Sequence, residues 1–105
     1  MGDEYHKNYN ELITLEKTLN GQITELQKCL DAKTNSIKLE MQIKDNITAH
    51  QKKRESLLSA HEKNASNLPG EEEEKRRKNL NTLKLNLDRI KMNFDSLTKR
   101  KYVEL

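Results

Sequence analysis

Residues 80–97 read LNTLKLNLDRIKMNFDSL, and this stretch decides how the chain folds. Its apolar residues follow one another at alternating steps of three and four, which is a heptad repeat. Because an α-helix turns once about every 3.6 residues, this spacing places the apolar side chains on one stripe, the heptad seam. The seam predicts an amphipathic helix over about 71–101 that must be buried against other helices. Its members are Leu80, Leu83, Leu87, Ile90, Phe94 and Leu97.

The preceding stretch, NLPGEEEEKRRK at 67–78, indicates where this helix starts. Pro69 and Gly70 interrupt the chain, and four glutamates then fill the first turn, where the helix dipole favours negative charge. Each glutamate stands four residues before a lysine or arginine. Opposite charges at this spacing stabilise a helix by about 0.2–0.5 kcal/mol per pair. The favoured interpretation is a solvated helix start, and an additional docking role for the charged stretch is the alternative.

The first segment, about 4–32, predicts a second helix with the same kind of repeat. Gly21 lies inside it and lowers helix stability by about 1 kcal/mol relative to alanine. Around Thr34-Asn35-Ser36 the residue types suit a helix N-cap, but there is no glycine or proline. A break there is the favoured interpretation, and one continuous helix through 31–36 is the alternative. The apolar residues of this segment are Tyr5, Tyr9, Leu12, Leu15, Leu19, Ile23, Leu26 and Leu30.

The second segment, about 36–66, has the least regular apolar pattern. Its predicted apolar face consists of Ile37, Met41, Ile43, Ile47, Leu57, Leu58, Ala65 and Leu68. His50, Arg54 and His61 fall near this face, where leucine would be the usual residue. We therefore expect polar side chains within the seam of the second helix.

Composition and segment lengths together predict the fold class. Of the 105 residues, 32% are hydrophobic and 35% charged, which suits narrow seams between long helices better than a thick globular core. Three helices of about 30 residues are each about 45 Å long and pack antiparallel when their connections are short. The prediction is one all-α domain over 1–105, an elongated antiparallel up-down-up three-helix bundle.

The chain lacks the sequence motifs of several kinds of function. No Ser/His/Asp order, glycine-rich phosphate loop or paired carboxylate stands out, so we expect neither an enzyme nor a bound cofactor. His50 and His61 would lie about 16 Å apart on one helix, too far to share a metal ion. Cys29 is the single cysteine, beside the first seam, which favours an inert half-buried thiol in a reducing compartment.

The charge and hydropathy patterns exclude further classes of partner. Basic and acidic residues number 20 and 17 and are interleaved, so no basic face is prepared for nucleic acid. Apolar runs are at most two residues long, which predicts neither a signal peptide nor a membrane span.

One anomaly of the third helix marks a candidate partner-binding surface. When the heptad is counted with Leu80 at position a, Leu85 and Met92 both fall at position f, pointing away from the seam. The favoured interpretation is that neighbouring helices partly cover these two apolar residues. The alternative is a docking surface, because two apolar residues one heptad apart on an outer face can bind a partner. The candidate partner-binding residues are Lys84, Leu85, Arg89 and Met92, with Lys91 beside them.

The last residues contain a short pattern with two interpretations. YVEL at 102–105 has the form Tyr-x-x-bulky-apolar and resembles a clathrin-adaptor sorting signal. Patterns of four residues recur by chance, which is the favoured interpretation. The basic run at 99–101 is typical of a helix C-terminus that complements the dipole.

Three stretches, in order, resemble a known family: YHKNYNEL at 5–12, NLPG at 67–70 and KNLNTLKLNLDRIKMNF at 78–94. They are similar to the N-terminal three-helix domain of the vesicle-transport v-SNARE family, the Qb-type SNAREs of Golgi and endosomal traffic. The similarity lies in two tyrosines before Glu-Leu, a Leu-Pro break, and the apolar and lysine positions of the third helix. Gly70 departs from the family's second proline, and the polar middle of the second helix is atypical.

The resemblance implies a non-enzymatic role on the cytoplasmic face of Golgi or endosomal membranes. A domain of this family precedes a SNARE motif and a C-terminal membrane anchor, and it binds epsin-related ENTH-domain adaptors of clathrin carriers. Cognate SNAREs would bind through the downstream motif, which, like the anchor, is not within these 105 residues. The implied function is a regulatory or sorting module that is monomeric in isolation. The alternatives are a free-standing helical-bundle chaperone or a coiled-coil tether, and an oligomeric coiled coil whose seams meet between chains.

Overall fold

The architecture is a bundle of three helices, taken from a computed structural model that describes residues 3–103. Helix α1 spans Asp3–Asp31, α2 spans Ile37–Asn64 and α3 spans Gly70–Val103. A short 3₁₀ turn, Ala65–Asn67, follows α2 directly. Within the described residues there is no β-strand. The predicted all-α class is confirmed.

Contacts between helices give their directions. Along the contacts of α1 with α2, and of α2 with α3, residue numbers rise on one helix as they fall on the other, so both pairs are antiparallel. Along the contacts of α1 with α3 both numbers rise, so these two helices are parallel, and the predicted up-down-up order is confirmed. The contacts are Glu11–Lys53 and Gln22–Asn46, Glu40–Lys101 and His61–Glu73, and Tyr5–Arg76 and Asp31–Arg100.

The bundle is elongated. Its principal extents are 55 × 20 × 16 Å, and its radius of gyration is 16.6 Å. A compact globular chain of this length would have a radius of gyration of about 13 Å. The long dimension follows from α3, whose 34 residues span about 51 Å at 1.5 Å per residue.

The buried apolar side chains form two clusters along the bundle. The large cluster consists of Leu19, Leu26, Leu30, Ile43, Ile47, Leu87, Ile90 and Phe94. The small cluster consists of Tyr5, Leu12, Leu57, Leu80 and Leu83. The predicted α3 seam is buried along both clusters, with Leu97 half-buried at its end. At about 25 cal/mol per Å² of apolar surface, this burial is the main favourable contribution to folding.

The connection at 31–36 is a true break, and the continuous helix is excluded. The Lys33 amide donates to the Leu30 carbonyl at 3.2 Å, and the Thr34 amide donates to the Cys29 carbonyl at 2.9 Å. This pair of bonds is a Schellman C-cap, which requires a left-handed residue at its centre. Lys33 supplies it with φ 56°. Asn35 then accepts a hydrogen bond from the Ile37 amide at 3.0 Å, which starts α2 without a glycine or proline.

The predicted apolar face of α2 is wrong at its first turn. Ile37 and Met41 are 59% and 61% exposed, while Ser36 and Glu40 are buried in their place. The physical reason is the heptad frame: counting back from the buried Ile43 in steps of three and four reaches 40 and 36. Glu40 tolerates burial because Ser36 and Lys101 both donate hydrogen bonds to its carboxylate.

The same kind of shift occurs once in α1. Glu16 is buried, while Leu15, predicted to lie in the seam, is half-buried and packs against the large cluster. Gly21 is exposed inside the helix, with nothing within 4 Å of the position of an added Cβ. α1 is therefore one continuous helix through Gly21.

The start of α3 agrees with its charge pattern. The Glu73 amide donates to the Pro69 carbonyl at 3.0 Å, so the helix begins at the Pro-Gly break. Three of the predicted i,i+4 pairs form, and they join Glu72 to Arg76 at 3.0 Å, Glu73 to Arg77 at 3.9 Å and Glu74 to Lys78 at 3.5 Å.

Candidate partner-binding surface

Leu85 and Met92 lie on the outer face of α3, opposite the seam. Their side chains are 56% and 69% exposed, so neighbouring helices do not cover them. The cause is geometric: position f points away from both neighbours of a helix in a bundle. Lys84 and Arg89 are also exposed, and the four candidate residues therefore share one accessible outer surface of α3.

This surface combines an apolar centre with mixed charge. Lys84, Arg89 and Lys91 surround the two apolar side chains, and Asp88 and Asp95 lie on the same helix among them. Basic residues outnumber acidic ones here. A partner with a modest apolar contact and an acidic margin would match this arrangement. We call Leu85, Met92 and their basic neighbours the α3 ridge.

A second pair of exposed apolar residues lies on α2. Ile37 and Met41 are one helical turn apart and neighbour each other on the helix surface. The contacts of α2 with α1 involve other positions, Asn46 and Lys53. This exposed pair therefore lies on α2 outside those contacts, whereas Leu85 and Met92 lie on α3.

A polar layer separates the two apolar clusters. His50 on α2 is fully buried, and its Nε2 lies 3.2 Å from Oε2 of Glu16 on α1. Asn86 on α3 donates a hydrogen bond of 2.9 Å to the other oxygen of the same carboxylate. One residue from each helix thus meets at a single level. We call these three residues the middle layer.

A second group of polar side chains closes the bundle near the start of α3. The Arg76 guanidinium lies over the Tyr5 ring, 4.3 Å from its centroid, in a cation–π contact. Burial raises the pKa of the Tyr5 hydroxyl above its ordinary value, against opposing contributions from Asn79 and Arg76. His61 is buried beside them, with Nε2 3.4 Å from the Glu73 carboxylate but not aligned for a hydrogen bond.

A third polar group lies at the opposite end of the bundle. The Ser36 hydroxyl and the Lys101 ammonium each donate to Oε2 of Glu40 at 2.7 Å. Burial acts to raise the pKa of Glu40, but these hydrogen bonds outweigh it, and the pKa lies below its ordinary value. At the same end of the bundle, Asp31, the last residue of α1, accepts a hydrogen bond of 2.7 Å from Arg100.

The described residues contain no group of three or more His, Cys, Asp or Glu side chains placed to hold a metal ion. His50 and His61 belong to separate polar groups, as their spacing on one helix predicts. A groove of about 130 Å³ lies between the helices beside Tyr5, His61 and Arg76. Cys29 is half-buried and free.

The exposed positions of Leu85 and Met92 follow from the sequence pattern, but two of the buried polar residues do not. Glu16 and Glu40 were not predicted to be buried, because Leu15 and Met41 offer equally good heptad spacing one residue away. The signal that identifies them is long-range: each carboxylate meets donors from α2 or α3 that lie far away in the chain. The YVEL pattern at 102–105 lies outside the part of the chain whose side chains the structure describes.

Comparisons with known proteins identify no relative. The chain matches no protein-family model, no curated protein and no solved structure. Among the described helices, none has a stretch long and apolar enough to cross a membrane.

Proposed function

We propose that this chain is a protein-binding module that serves as the N-terminal regulatory or sorting domain of a Qb-type SNARE in vesicle-mediated transport. It acts on the cytoplasmic face of Golgi or endosomal membranes, and an epsin-related ENTH-domain adaptor is its partner. The observation that carries the binding role is the exposed pair Leu85 and Met92 on an otherwise polar outer face. Exposed apolar residues grouped on a polar surface are typical of interaction sites.

The fold supports this proposal at the level of architecture. An up-down-up bundle is what the family resemblance implies, and the residues that carry the resemblance have structural roles in it. Tyr5 is buried and stacks near Tyr9, with ring centroids 6.1 Å apart. Leu80, Leu83 and Leu87 line the core. Because any bundle needs such packing, the trafficking role depends on a binding test.

The α3 ridge gives that test a defined target. The double variant Leu85→Ser, Met92→Ser removes two apolar contacts from the ridge while the seam stays intact. Burying one such side chain fully contributes about 1.5–3 kcal/mol, and 1.4 kcal/mol is a tenfold change in affinity. We expect at least a tenfold weaker affinity for an ENTH domain in calorimetry or a quantitative pull-down, with unchanged helicity by circular dichroism.

The exposed apolar pair on α2 supplies a matched control. Ile37→Ser with Met41→Ser makes a comparable change at a pair of similar exposure on α2. The control should bind the ENTH domain as the parent chain does. Equal binding by parent and ridge variant would refute the ridge as the docking site, and equal loss in both variants would show that hydrophobic content, not position, governs binding. Failure of the parent chain to bind any ENTH domain would remove the SNARE proposal and favour the chaperone or tether.

A further inference from the structure

The two halves of the bundle are held together unequally. On one side of the middle layer, α2 contributes Ile43 and Ile47 to the large cluster. On the other side α2 contributes Leu57 alone to the buried part of the small cluster, with Leu58 half-buried beside it. The second half of α2 therefore removes little apolar surface from water.

Several buried side-chain nitrogens of α2, at the middle layer and beyond it, make no hydrogen bond. The buried side-chain nitrogens without a hydrogen bond in the described part of the chain are Nδ1 of His50, Nε of Arg54 and both ring nitrogens of His61. All of them belong to seam positions of α2, with His50 in the middle layer and Arg54 and His61 in the second half. A buried donor or acceptor without a hydrogen bond costs free energy that it regains on exposure to water. The nitrogens of Arg54 and His61 therefore favour an open second half of α2 over a closed one.

A groove opens between the helices at the same place. Its volume is about 130 Å³, and Tyr5, Leu57, His61 and Arg76 are among the residues that line it. His61, whose ring nitrogens make no hydrogen bond, thus borders a space that no side chain fills.

The opposite end of the bundle is held firmly by comparison. Its connection is closed by the Schellman bonds at Lys33 and Thr34. Glu40 joins α2 to the end of α3 through Lys101, and Asp31 joins α1 to the same end through Arg100. The second half of α2 contacts its neighbours through Leu57, the Lys53–Glu11 ion pair and the His61–Glu73 contact. The first half buries more apolar side chains and holds the buried, hydrogen-bonded Glu40.

We infer that residues 51–67, the second half of α2 with its 3₁₀ turn, open as one unit while α1, α3 and the first half of α2 stay folded. The hinge is the middle layer, where His50 is still held to Glu16. Opening transfers the unpartnered nitrogens of Arg54 and His61 to water and uncovers Leu12, Leu80 and Leu83 between the parallel helices α1 and α3. Such sub-global openings are known as cooperative units of native proteins.

Native-state hydrogen exchange on the whole 105-residue chain tests this inference. Backbone amides of 54–64 should exchange at least tenfold faster than those of 43–50 in the same helix, in the regime where exchange reports the opening equilibrium. They should share one dependence on low denaturant concentrations, as a cooperative unit requires. Equal protection along the whole of α2 would overturn the proposal.

Two variants test whether His61 causes the faster exchange of residues 54–64. His61→Leu removes both unpartnered ring nitrogens and adds apolar surface to the small cluster, so it should slow exchange of 54–64 by at least fivefold and leave 43–50 unchanged. Lys52→Leu is the control, because Lys52 is exposed on the outer face of α2 and lysine and leucine have similar helix propensities. Lys52→Leu should leave the difference in exchange rate between residues 54–64 and 43–50 unchanged. An effect of His61→Leu no larger than that of Lys52→Leu would refute the role of the polar seam. Neither result depends on an adaptor.

Discussion

At the scale of single residues, Lys33 has a backbone conformation that its side chain disfavours. Among the described non-glycine residues it is the one with a positive φ, 56°. The left-handed conformation costs an L-residue about 1–2 kcal/mol, which glycine avoids. Glycine in turn loses more conformational freedom on folding, about 0.5–1 kcal/mol relative to alanine. The C-cap of α1 thus retains some strain.

Lys33→Gly should therefore stabilise the protein by about 0.5–1 kcal/mol. For a chain of this length that corresponds to a rise in Tm of about 2–8 °C by calorimetry. Ala32→Gly is the control, because Ala32 has a negative φ and gains nothing from glycine. It should lower Tm. A decrease in Tm for Lys33→Gly as well would contradict the role given to this cap.

A second residue, Glu40, links stability to pH. Its folded-state pKa is lowered from the ordinary 4.5, because the hydrogen bonds from Lys101 and Ser36 outweigh the effect of burial. A lowered folded-state pKa means that the fold favours the carboxylate form. The contribution of Glu40 to stability is therefore complete above about pH 4.5–5 and is lost as the pH falls through the folded-state value.

Glu40→Gln should remove this contribution. At pH 7 we expect a loss of about 1–2 kcal/mol, between the values for an exposed and a buried ion pair, because Glu40 is buried while Lys101 is partly exposed. The difference in urea-unfolding free energy between parent and variant should stay constant from pH 7 to 5 and narrow below 4.5. A difference that is unchanged at pH 3 would show that the carboxylate charge is not its source.

At the scale of the helices, the sequence predicts the buried face correctly where every seam position is apolar and incorrectly where some are polar. The α3 seam was located correctly because every seam position from Leu80 to Leu97 is apolar, so no other frame competes. In α2 the residues Ile37 and Met41 offered an apolar frame that is exposed, whereas Ser36 and Glu40 hold the buried one. The buried frame is stabilised by a hydrogen bond from Lys101, 61 residues further along the chain, to Glu40. The spacing of apolar residues within α2 does not reveal this contact.

The candidate site was foreseeable for the same reason. Leu85 and Met92 lie at position f of an unambiguous heptad, and the exposure of both residues follows from that register. The interior polar groups were foreseeable only on α2, where His50, Arg54 and His61 interrupt an apolar pattern. Their partners Glu16 and Asn86 became apparent only once the helices were placed side by side.

The middle layer should behave as one coupled unit between helices. His50→Leu leaves the buried Glu16 carboxylate with Asn86 alone, and we expect a loss of about 2–3 kcal/mol. Glu16→Leu leaves His50 without its partner and should cost about 1–3 kcal/mol. The double variant puts two apolar residues face to face, and it should be at least 1 kcal/mol more stable than the sum of the single losses predicts. Strict additivity in urea unfolding would show that the two side chains do not interact.

At the scale of the whole molecule, the chain is a narrow rod whose apolar core has two parts. Its two apolar clusters are separated by the middle layer, and polar contacts at both ends set the order of the helices. A rod built in this way offers the outer faces of its helices as contact surfaces, and Leu85 and Met92 are exposed on one of them. The proposed adaptor binding on the α3 ridge and the proposed opening of α2 therefore use different parts of the molecule.

The central claim is that these three helices satisfy their seams within one chain, and solution X-ray scattering with absolute mass tests it most directly. We expect a mass near 12.3 kDa at all concentrations, with a radius of gyration close to 16.6 Å and a longest dimension near 55 Å. A particle of twice that mass and nearly twice that length would contradict it. In that case α1 and α2 would run on as a single helix, and the seams would be buried between two chains.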